Sequence, residues 1–289
     1  MENMKKDNHH LFESIIRFEK LSWKQIDELD RSKTLFFLPI SPLEEHGPHL
    51  PVGTDLLTAQ VTAQQAIITL QKKHPSFTFV LLPLIPLGFA EFNTDFPGTV
   101  SVSSTVIKKV IYAYGKMIAS QGFNYLMICS YHMALAHLKG IYAAKRKLQR
   151  KYDIIICEPW SSVFYSDQIA KKEPSVGFDT KHEVHAGFRE TSLMKYSHPE
   201  LVDKSYADLS FEFTEKLNSL SAAFKSFKQL GITKGYIGSP AKADASYGKW
   251  FFDLTVETYV DTAEKMIQKK PLPDLPDQIK RQMKLLFWL

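Results

Sequence analysis

The chain has 289 residues, 44% of them hydrophobic, and a formal net charge of +5 at pH 7. This length and apolar content suit one large core, or at most two domains. The basic excess is small and spread along the chain, and no basic stripe, zinc-finger pattern or RNP pattern supports a nucleic-acid binder. No run of about 18 apolar residues and no signal peptide is visible, so we expect a cytoplasmic protein without a membrane span or a membrane partner.

The two cysteines of the chain, Cys129 and Cys157, both lie in apolar runs that are typical of buried strands. A disulfide framework is therefore not expected. This cysteine usage fits a protein of a reducing compartment.

Short apolar runs alternate with helical patterns through the first half of the chain. Residues 1–20 are interpreted as a polar arm and a first short helix. The runs typical of buried strands cover residues 34–40, 77–85, 123–131 and 153–159. The segments with helical periodicity cover residues 55–73, 103–122 and 134–152. Thr54 or Asp55 is the expected N-cap of the first helix, and Gly122 is expected to end the second. This alternation predicts an α/β fold in which helices cover both faces of a mostly parallel sheet.

The second half of the chain is predicted to be more helical. Helices are expected near residues 190–197, 205–228 and 246–268. Residues 269–278 form a proline-rich connector to a final amphipathic segment, which we expect to dock on its own core or on another subunit. No internal repeat or clear linker is visible, so we predict a single domain over residues 1–289, with an N-terminal arm (1–20) and a C-terminal extension (269–289).

Metal-capable side chains cluster after two of the predicted strands, at the sheet edge where open α/β folds bind ligands. Glu44, His46 and Asp55 follow the first strand, in "PLEEHGPHLPVGTD", and His132 follows the third. Glu44 and His46 stand two residues apart, so in extended chain they face the same side. Carboxylate and imidazole groups together suit Zn, Mn or Fe. A solvated turn with a capping aspartate, and a hydrogen-bonded core histidine, would explain the same residues.

A third cluster lies in "KHEVHAGFRETS", which contains His182, Glu183, His185 and Glu190. The small residues after His185 allow a ligand to approach the backbone closely. An acidic first helical turn that complements the helix dipole is the alternative explanation. The three clusters together indicate one crevice that holds a metal.

These motifs resemble those of the creatininase family, the creatinine amidohydrolases and their relatives. "SPLEEHGPHLPVGTD" (41–55) is similar to the family's first motif and "FPGTVSVS" (96–103) to its second. "HAGFRETSLM" (185–194) matches the third, and "GYIGSPAKADASYGK" (235–249) resembles the late glycine-rich region. The motifs occur in family order over roughly residues 35–265.

The resemblance implies a three-layer α/β/α sandwich, a homo-oligomer that is often a hexamer, and one or two divalent metal ions per chain (Zn, Mn or Fe). It also implies hydrolysis of a non-peptide C–N bond in a small amide. Asp55 corresponds to the carboxylate that bridges two ions, and His185 to the histidine of proton transfer. The residues that match metal ligands are Glu44, His46, Asp55, His132 and, as a further ligand, Glu190.

The chain departs from the family at several positions around this site. Relatives commonly have Gly-His-Gly-Gly-Asn where this chain has "YHMAL" (131–135). Ala134 stands where creatininase proper has a glutamate ligand, and Phe188 stands where many relatives carry a glutamate. Asn93 stands where a histidine is common. These departures predict a more apolar pocket and leave the second metal position open.

The leading hypothesis is a metal-dependent amidohydrolase that cleaves an amide, cyclic amide or formamide with a metal-bound hydroxide. His185 would carry the proton to the leaving nitrogen, and Glu183 would orient His185. The alternative is a catalytically degenerate family member that binds a metal or a ligand without turnover.

The remaining predictions concern the pocket and the loop around the ligands. Tyr131, Trp160 and Phe188 are predicted to contact the substrate, although a buried aromatic residue is the alternative for Trp160. Glu45 is expected to point away from the ion, toward solvent or toward a group behind the ligands. His49 is expected to hold the turn by hydrogen bonds.

Overall fold

A computed structural model describes residues 12–218 and 225–285 of the chain. Its strands form one parallel sheet in the order β1-β3-β2-β4-β5. The strands are β1 Ile16–Arg17, β2 Thr34–Pro39, β3 Thr78–Leu81, β4 Tyr125–Cys129 and β5 Ile155–Cys157. Every residue of β2 and β4 is buried, because these central strands are covered on both faces. The predicted α/β class with a parallel sheet is confirmed.

Helices follow the strands and cover the two faces of the sheet. They are α1 Trp23–Asp27, α2 Thr54–Lys73, α3 Ser104–Ser120, α4 Leu135–Lys151, α5 Trp160–Phe164, α6 Gln168–Lys172, α7 Phe188–Ser197, α8 Ala245–Ile267 and α9 Asp277–Leu285. Helices α2, α7 and α8 pack against one another, and α3 packs against α4. None of the helices in the described part of the chain is long and apolar enough to cross a membrane.

The order of the strands opens a crevice at one edge of the sheet. The connection from β2 to β3 and the connection from β4 to β5 run in opposite directions across the sheet. Because such connections are right-handed, α2 and α4 lie on opposite faces, and the loops after β2 and β4 diverge. The crevice between them is the usual ligand site of an open α/β sheet. Residues 40–53 and 130–134 leave the sheet at this point.

The prediction of a long helix over residues 205–228 is wrong for the described residues. They contain only short 3₁₀ turns, Lys204–Asp208 and Glu215–Asn218, and residues 219–224 lie outside the described part. The backbone N–H and C=O of Glu212 pair with those of Gly238 at 3.1 and 2.8 Å. Because this long-range pairing occupies the backbone groups that a helix would need, it overrides the local helical pattern.

The start of the chain and of α2 also differ from the prediction. Residues 1–11, where most of the predicted arm and first helix would lie, are outside the described part; residues 12–13 are helical, and β1 and a 3₁₀ turn follow them up to residue 20. Helix α2 begins at Thr54 with Gly53 as its N-cap residue, so neither Thr54 nor Asp55 caps it. The hydroxyl of Thr54 donates to the carbonyl of Pro51 at 2.7 Å, and the Asp55 side chain turns toward the crevice instead.

The expected end of α3 is confirmed, and the start of the final segment packs on the core. Gly122 follows α3 with a φ of +86°, a left-handed conformation that glycine adopts without strain. Helix α9 forms the start of the predicted amphipathic segment, and its Met283 is buried against the core. Residues 286–289 of that segment lie outside the described part.

A buried acid directly after β5 makes stability depend on pH. Glu158 has no exposed surface, and its carboxyl oxygens accept the N–H of Ser161 at 3.2 and 3.3 Å. Burial raises the pKa of Glu158 from 4.5 to about 7. Between these pH values the folded chain keeps a proton that the unfolded chain loses, so the contribution to stability is present below pH 4.5 and is lost as pH rises through 7.

We therefore expect the unfolding free energy of the wild type to fall, relative to that of Glu158→Gln, by about 3 kcal/mol as pH rises from 4.5 to 7.5. Urea unfolding of both proteins at several pH values measures this difference. Parallel pH dependences of the two proteins would show that Glu158 does not titrate in this way.

Candidate metal centre

The loop after β2 folds back on itself and places two metal-capable side chains together. The N–H of Glu44 donates to the carbonyl of Val52 at 2.8 Å, and His46 pairs with Leu50 in an antiparallel bridge. Gly47 makes the turn with a φ of +68°, where a side chain would be strained. The turn therefore returns the chain to the start of α2, beside Glu44 and His46.

Three further elements bring their side chains to the same place. Asp55 lies in the first turn of α2 and is 2% exposed, and the positive end of the helix dipole favours its carboxylate. His132 lies three residues after the end of β4 at Cys129. Glu190 lies in the first turn of α7, where its carboxylate accepts the N–H of Ala186 at 2.5 Å. The predicted ligands thus converge from four separate segments.

The converging side chains form three overlapping groups of possible ligands. Within each group the ligand atoms all lie within 4.8 Å of one another. The groups are Glu44–Asp55–His132, His46–Asp55–Glu190 and Glu44–His46–His185. Asp55 belongs to the first two groups, which is the position that a bridging carboxylate needs.

Each of the three histidine rings is anchored by a backbone carbonyl. A carbonyl oxygen only accepts hydrogen bonds, so the ring nitrogen that faces it carries the hydrogen. The three contacts are His46 Nδ1 to Glu44 O at 2.9 Å, His132 Nε2 to Phe89 O at 2.7 Å and His185 Nε2 to Glu45 O at 2.8 Å. Histidines that bind metals are usually held in this way through the second nitrogen.

The second nitrogen of two of these rings faces the buried carboxylates. His46 Nε2 lies 3.4 Å from Asp55 Oδ1, and His132 Nδ1 lies 2.9 Å from Asp55 Oδ2 and 3.0 Å from Glu44 Oε2. Among the described residues, His46 Nε2, Asp55 Oδ1 and Glu44 Oε2 are buried and make no hydrogen bond, and the groups they face at ion-pair distance are members of the same cluster. Burying such atoms unpaired costs about 1–3 kcal/mol each, so their convergence fits a divalent cation that all of them could coordinate.

The charges of these groups are strongly coupled. Burial works toward a lower pKa of His46, but the carboxylates of Asp55, Glu190 and Glu44 together outweigh it and raise the pKa of His46 to about 10. Burial works toward a higher pKa of Asp55, but His46 and His132 together outweigh it and hold the pKa of Asp55 well below its usual range. Asp55 is therefore ionised at neutral pH. A cation and a proton compete for the same nitrogen of His46, so metal binding there releases a proton.

His185 is oriented by residues other than the one predicted. Besides the carbonyl of Glu45, its Nε2 contacts the side-chain amide of Asn93 at 3.1 Å and lies 3.6 Å from Glu45 Oε1. The predicted partner Glu183 instead accepts the N–H of Phe188 at 2.5 Å and that of Ser239 at 3.2 Å. The assignment of Glu183 as the residue that orients His185 is therefore wrong in this geometry.

The other two polar residues of the loop behave as expected. Glu45 is buried behind the ligands, where one of its oxygens accepts the N–H of Gly47 at 2.9 Å. His49 Nε2 makes a 2.8 Å hydrogen bond with the hydroxyl of Thr191 on α7. Burial lowers the pKa of His49 to about 4, so its ring is neutral and holds the turn by hydrogen bonding.

A cavity of about 270 Å³ opens beside the three groups. Glu44, Asp55, His132, His185 and Glu190 form part of its wall. The aromatic rings that line the rest are Phe92, Tyr131, Phe164, Tyr165, Phe227 and Phe251. The site is thus polar at the carboxylate–histidine cluster and mostly apolar elsewhere.

Of the three residues predicted to contact a substrate, only Tyr131 lies on the wall of this cavity. Trp160 has no exposed surface and stacks behind Tyr131, with ring centroids 6.1 Å apart. Phe188 is 1% exposed and packs on Tyr247 at 4.3 Å. The assignments of Trp160 and Phe188 to the substrate pocket are wrong, because both rings fill the core at the starts of their helices.

Ala134 and Glu190, the two positions that bear on the second metal ion, both line the cavity. Ala134 lines the cavity and offers no ligand atom. Glu190, however, supplies a carboxylate beside His46 and Asp55, with Glu190 Oε2 3.8 Å from His46 Nε2. The group around His46 therefore keeps three donors despite the loss of the carboxylate at position 134.

Comparisons with known proteins identify the relatives of this chain. The family model of creatinine amidohydrolase (Creatininase) matches residues 19–263. A mycofactocin precursor peptide peptidase of Mycobacterium ulcerans (strain Agy99) is 25% identical over 251 residues, which cover 82% of this chain and 86% of the relative. A creatinine amidohydrolase of Pseudomonas putida is 23% identical over 198 residues, which cover 64% of this chain and 72% of the relative.

Solved structures show the same fold. A structure described as creatininase with Mn aligns with a TM-score of 0.66 and 19% identity, and covers 88% of this chain and 99% of its own. A creatininase mutant of Zn–Zn type aligns with a TM-score of 0.64 and 18% identity over the same shares. Since the family model spans well over half of the sequence, the chain belongs to the creatininase family.

Proposed function

We propose that this chain is a metal-dependent hydrolase that cleaves the C–N bond of an amide, a cyclic amide or a formamide. The observation that carries the proposal is the set of three histidine rings, each anchored by a carbonyl, around carboxylates whose buried atoms lack partners. The residues proposed as metal ligands are Glu44, His46, Asp55, His132 and Glu190.

The donor set supports one or two divalent cations. One would be held by Glu44, Asp55 and His132, and the other by His46, Asp55 and Glu190. Oxygen and imidazole donors without a thiolate suit Zn, Mn or Fe. A divalent cation bound there would lower the pKa of a water and polarise the substrate carbonyl.

His185 is proposed to move the proton of the reaction. Its Nε2–H is fixed on the Glu45 carbonyl, which leaves Nδ1 free to accept a proton. The ring lies against His46, with centroids 4.4 Å apart, and it lines the cavity. His185 can therefore take a proton from the attacking water at Nδ1 and return it to the leaving nitrogen. The Asn93 side chain lies against the same nitrogen, with its amide 3.1 Å from Nε2.

The cavity supports a small substrate. Its volume of about 270 Å³ lies just below the range of about 300–1,000 Å³ that is usual for small-molecule sites. Two apolar lining residues, Phe164 and Val184, are 39% and 55% exposed, so the mouth is open to solvent. An open mouth leaves room for a longer substrate, and two sets of relatives carry the names of a peptide peptidase and of a creatinine amidohydrolase. A short peptide is therefore the second candidate substrate.

Metal-dependent hydrolysis tests the proposal. Protein loaded with Zn, Mn or Fe would be incubated with formamides, cyclic amides and short peptides, and release of the amine or acid product would be measured. We expect turnover of at least one class, its loss on chelation, and its return with added metal. Glu44→Ala, with its fold checked by circular dichroism, is the inactive control. If the metal-loaded wild type turns over none of these substrate classes, the chain is better described as a catalytically degenerate family member.

A further inference from the structure

The cavity wall contains a fixed cation that the proposed reaction does not use. Among the described residues that line the cavity, Arg189 is the only lysine or arginine. It directly precedes the proposed ligand Glu190 in the first turn of α7. Its side chain is 23% exposed, so the guanidinium is mostly enclosed but still faces the cavity.

Two nitrogens of this guanidinium are held by protein groups. Nε donates to Glu173 Oε1 at 3.1 Å and to the Tyr247 hydroxyl at 3.3 Å. Nη2 donates to both oxygens of Glu173, at 3.1 and 3.3 Å, and to the Thr180 hydroxyl at 3.1 Å. Nη1 has no hydrogen-bond partner in residues 12–218 and 225–285. The fork is therefore fixed in place while one of its NH₂ groups remains available.

The support of Arg189 is itself rigid. The Tyr247 hydroxyl donates to Glu173 Oε1 at 2.5 Å, and Tyr247 lies in the first turn of α8. Glu173 also accepts the Thr180 hydroxyl at 3.0 Å. A donor held in this way loses little conformational freedom when a ligand binds, so its hydrogen bond contributes more to affinity.

With metal bound, the charges of the cavity favour an anion at Nη1 of Arg189. Three of the four acidic residues in the wall, Glu44, Asp55 and Glu190, are proposed metal ligands, so bound cations would offset their charge. The fourth, Glu183, is held by the backbone N–H groups of Phe188 and Ser239. The aromatic side chains of the wall carry no charge. They exclude water and so strengthen the contact between an anion and Arg189. An arginine N–H group makes a charge-assisted hydrogen bond to a carboxylate, which is roughly twice as strong as a hydrogen bond between neutral groups.

We propose that Arg189 binds a carboxylate of the substrate through Nη1 while the scissile carbonyl lies at the carboxylate–histidine cluster. Because Arg189 and the proposed ligands line the same cavity of about 270 Å³, the two subsites are close, and the carboxylate is separated from the amide by only a short spacer. The substrate class is a small N-acyl amino acid or a cyclic amide with an acidic arm. This inference rests on the proposed function, since it assigns the substrate of the same site.

Binding of a matched pair of probes tests the inference without turnover. N-acetylglycine and N-acetylglycinamide differ only in the carboxylate, and their affinities for Zn-loaded protein can be measured by calorimetry. We expect the wild type to bind the acid about 10- to 100-fold more tightly than the amide. Arg189→Gln is expected to lose this preference. A carboxylate that binds the metal directly would do so in both proteins, so the difference between them isolates Arg189.

Glu173→Gln is the matched control, because it breaks the same ion pair but keeps the guanidinium. We expect it to retain the preference for the acid or to increase it. If Arg189 only ties its neighbours to α7, both variants will lower the melting temperature and neither will change the preference selectively. A wild type that binds the two probes equally, or Arg189→Gln that keeps the preference, would overturn the proposal.

A conservative variant covers the case in which Arg189→Gln does not fold. Arg189→Lys keeps the charge but loses the planar fork, so we expect a preference several-fold below that of the wild type. An unchanged preference in this variant would overturn the proposal. Selective binding of the acid without hydrolysis of any substrate class would contradict the proposed function but not the role of Arg189. Hydrolysis without a carboxylate preference would contradict the role of Arg189 but not the proposed function.

Discussion

Asp55→Ala is expected to lower the hydrolytic rate by about 10³-fold or more under saturating metal. Asp55 supplies an oxygen to two of the three donor groups, so its removal weakens both proposed cation positions at once. It is also the partner of His46 and His132, at 3.4 and 2.9 Å. Rates with the best substrate of the panel, measured over a range of metal concentrations, give the size of the effect.

Asp277→Ala is the matched control for this variant. Asp277 also lies in the first turn of a helix, α9, but its side chain is 80% exposed and it is no member of the donor groups. We expect its activity to equal that of the wild type. Circular dichroism would show whether Asp55→Ala keeps the fold. A folded Asp55→Ala protein with activity within tenfold of the wild type would show that Asp55 does not bridge the metal positions.

His185→Gln is expected to lower kcat by about 10²- to 10⁴-fold while the metal content stays unchanged. Glutamine can replace the hydrogen bond to the Glu45 carbonyl, but it cannot accept and release a proton near neutral pH. The five proposed ligands remain in this variant, so the cation should still bind. Steady-state kinetics and elemental analysis of the same sample separate the two roles.

His49→Gln tests whether any buried histidine of this region has the same effect. His49 is as buried as His46, at 1% exposure each, but it bonds the Thr191 hydroxyl and belongs to none of the donor groups. Its replacement is expected to change kcat by less than tenfold. Equal losses in the two variants would remove the special role of His185, and loss of metal in His185→Gln would identify His185 as a ligand.

The layered α/β fold could be predicted because its causes are local. Buried parallel strands are continuous apolar runs, as in β2 and β4, and the helices between them have clear periodicity. Strand β1, Ile16–Arg17, has only two residues and is too short for any pattern to show. The predicted helix over residues 205–228 failed because Glu212 pairs with Gly238, and no local pattern reveals that pairing.

The candidate site could likewise be predicted only where its residues lie close together in sequence. Glu44, His46 and Asp55 lie close together in sequence, so spacing and the family resemblance could bring them together. The contacts of His185 with Asn93 and with Glu45 span 92 and 140 residues, so no spacing predicts them. The departure at position 93 from the family's common histidine was the one available signal. The same distance hides the contact of Arg189 with Tyr247, 58 residues away.

The direction of a buried ring is also beyond a sequence pattern. Trp160 and Phe188 each stand at the start of a helix beside the crevice, which made them plausible lining residues. Their rings turn into the core, and Tyr131 covers Trp160. Which side of a helix start faces a cavity depends on the packing of distant elements, here α8 with Phe251 and Tyr247.

The number of metal ions per chain bears most directly on the proposed centre. Elemental analysis would be carried out on protein purified without chelator, with His132→Ala alongside. We predict about two divalent ions per wild-type chain and about one in His132→Ala, which removes a donor from the Glu44–Asp55–His132 group. Wild-type protein that binds no metal, even after reloading with Zn, Mn or Fe, would contradict the metal centre and the hydrolase with it.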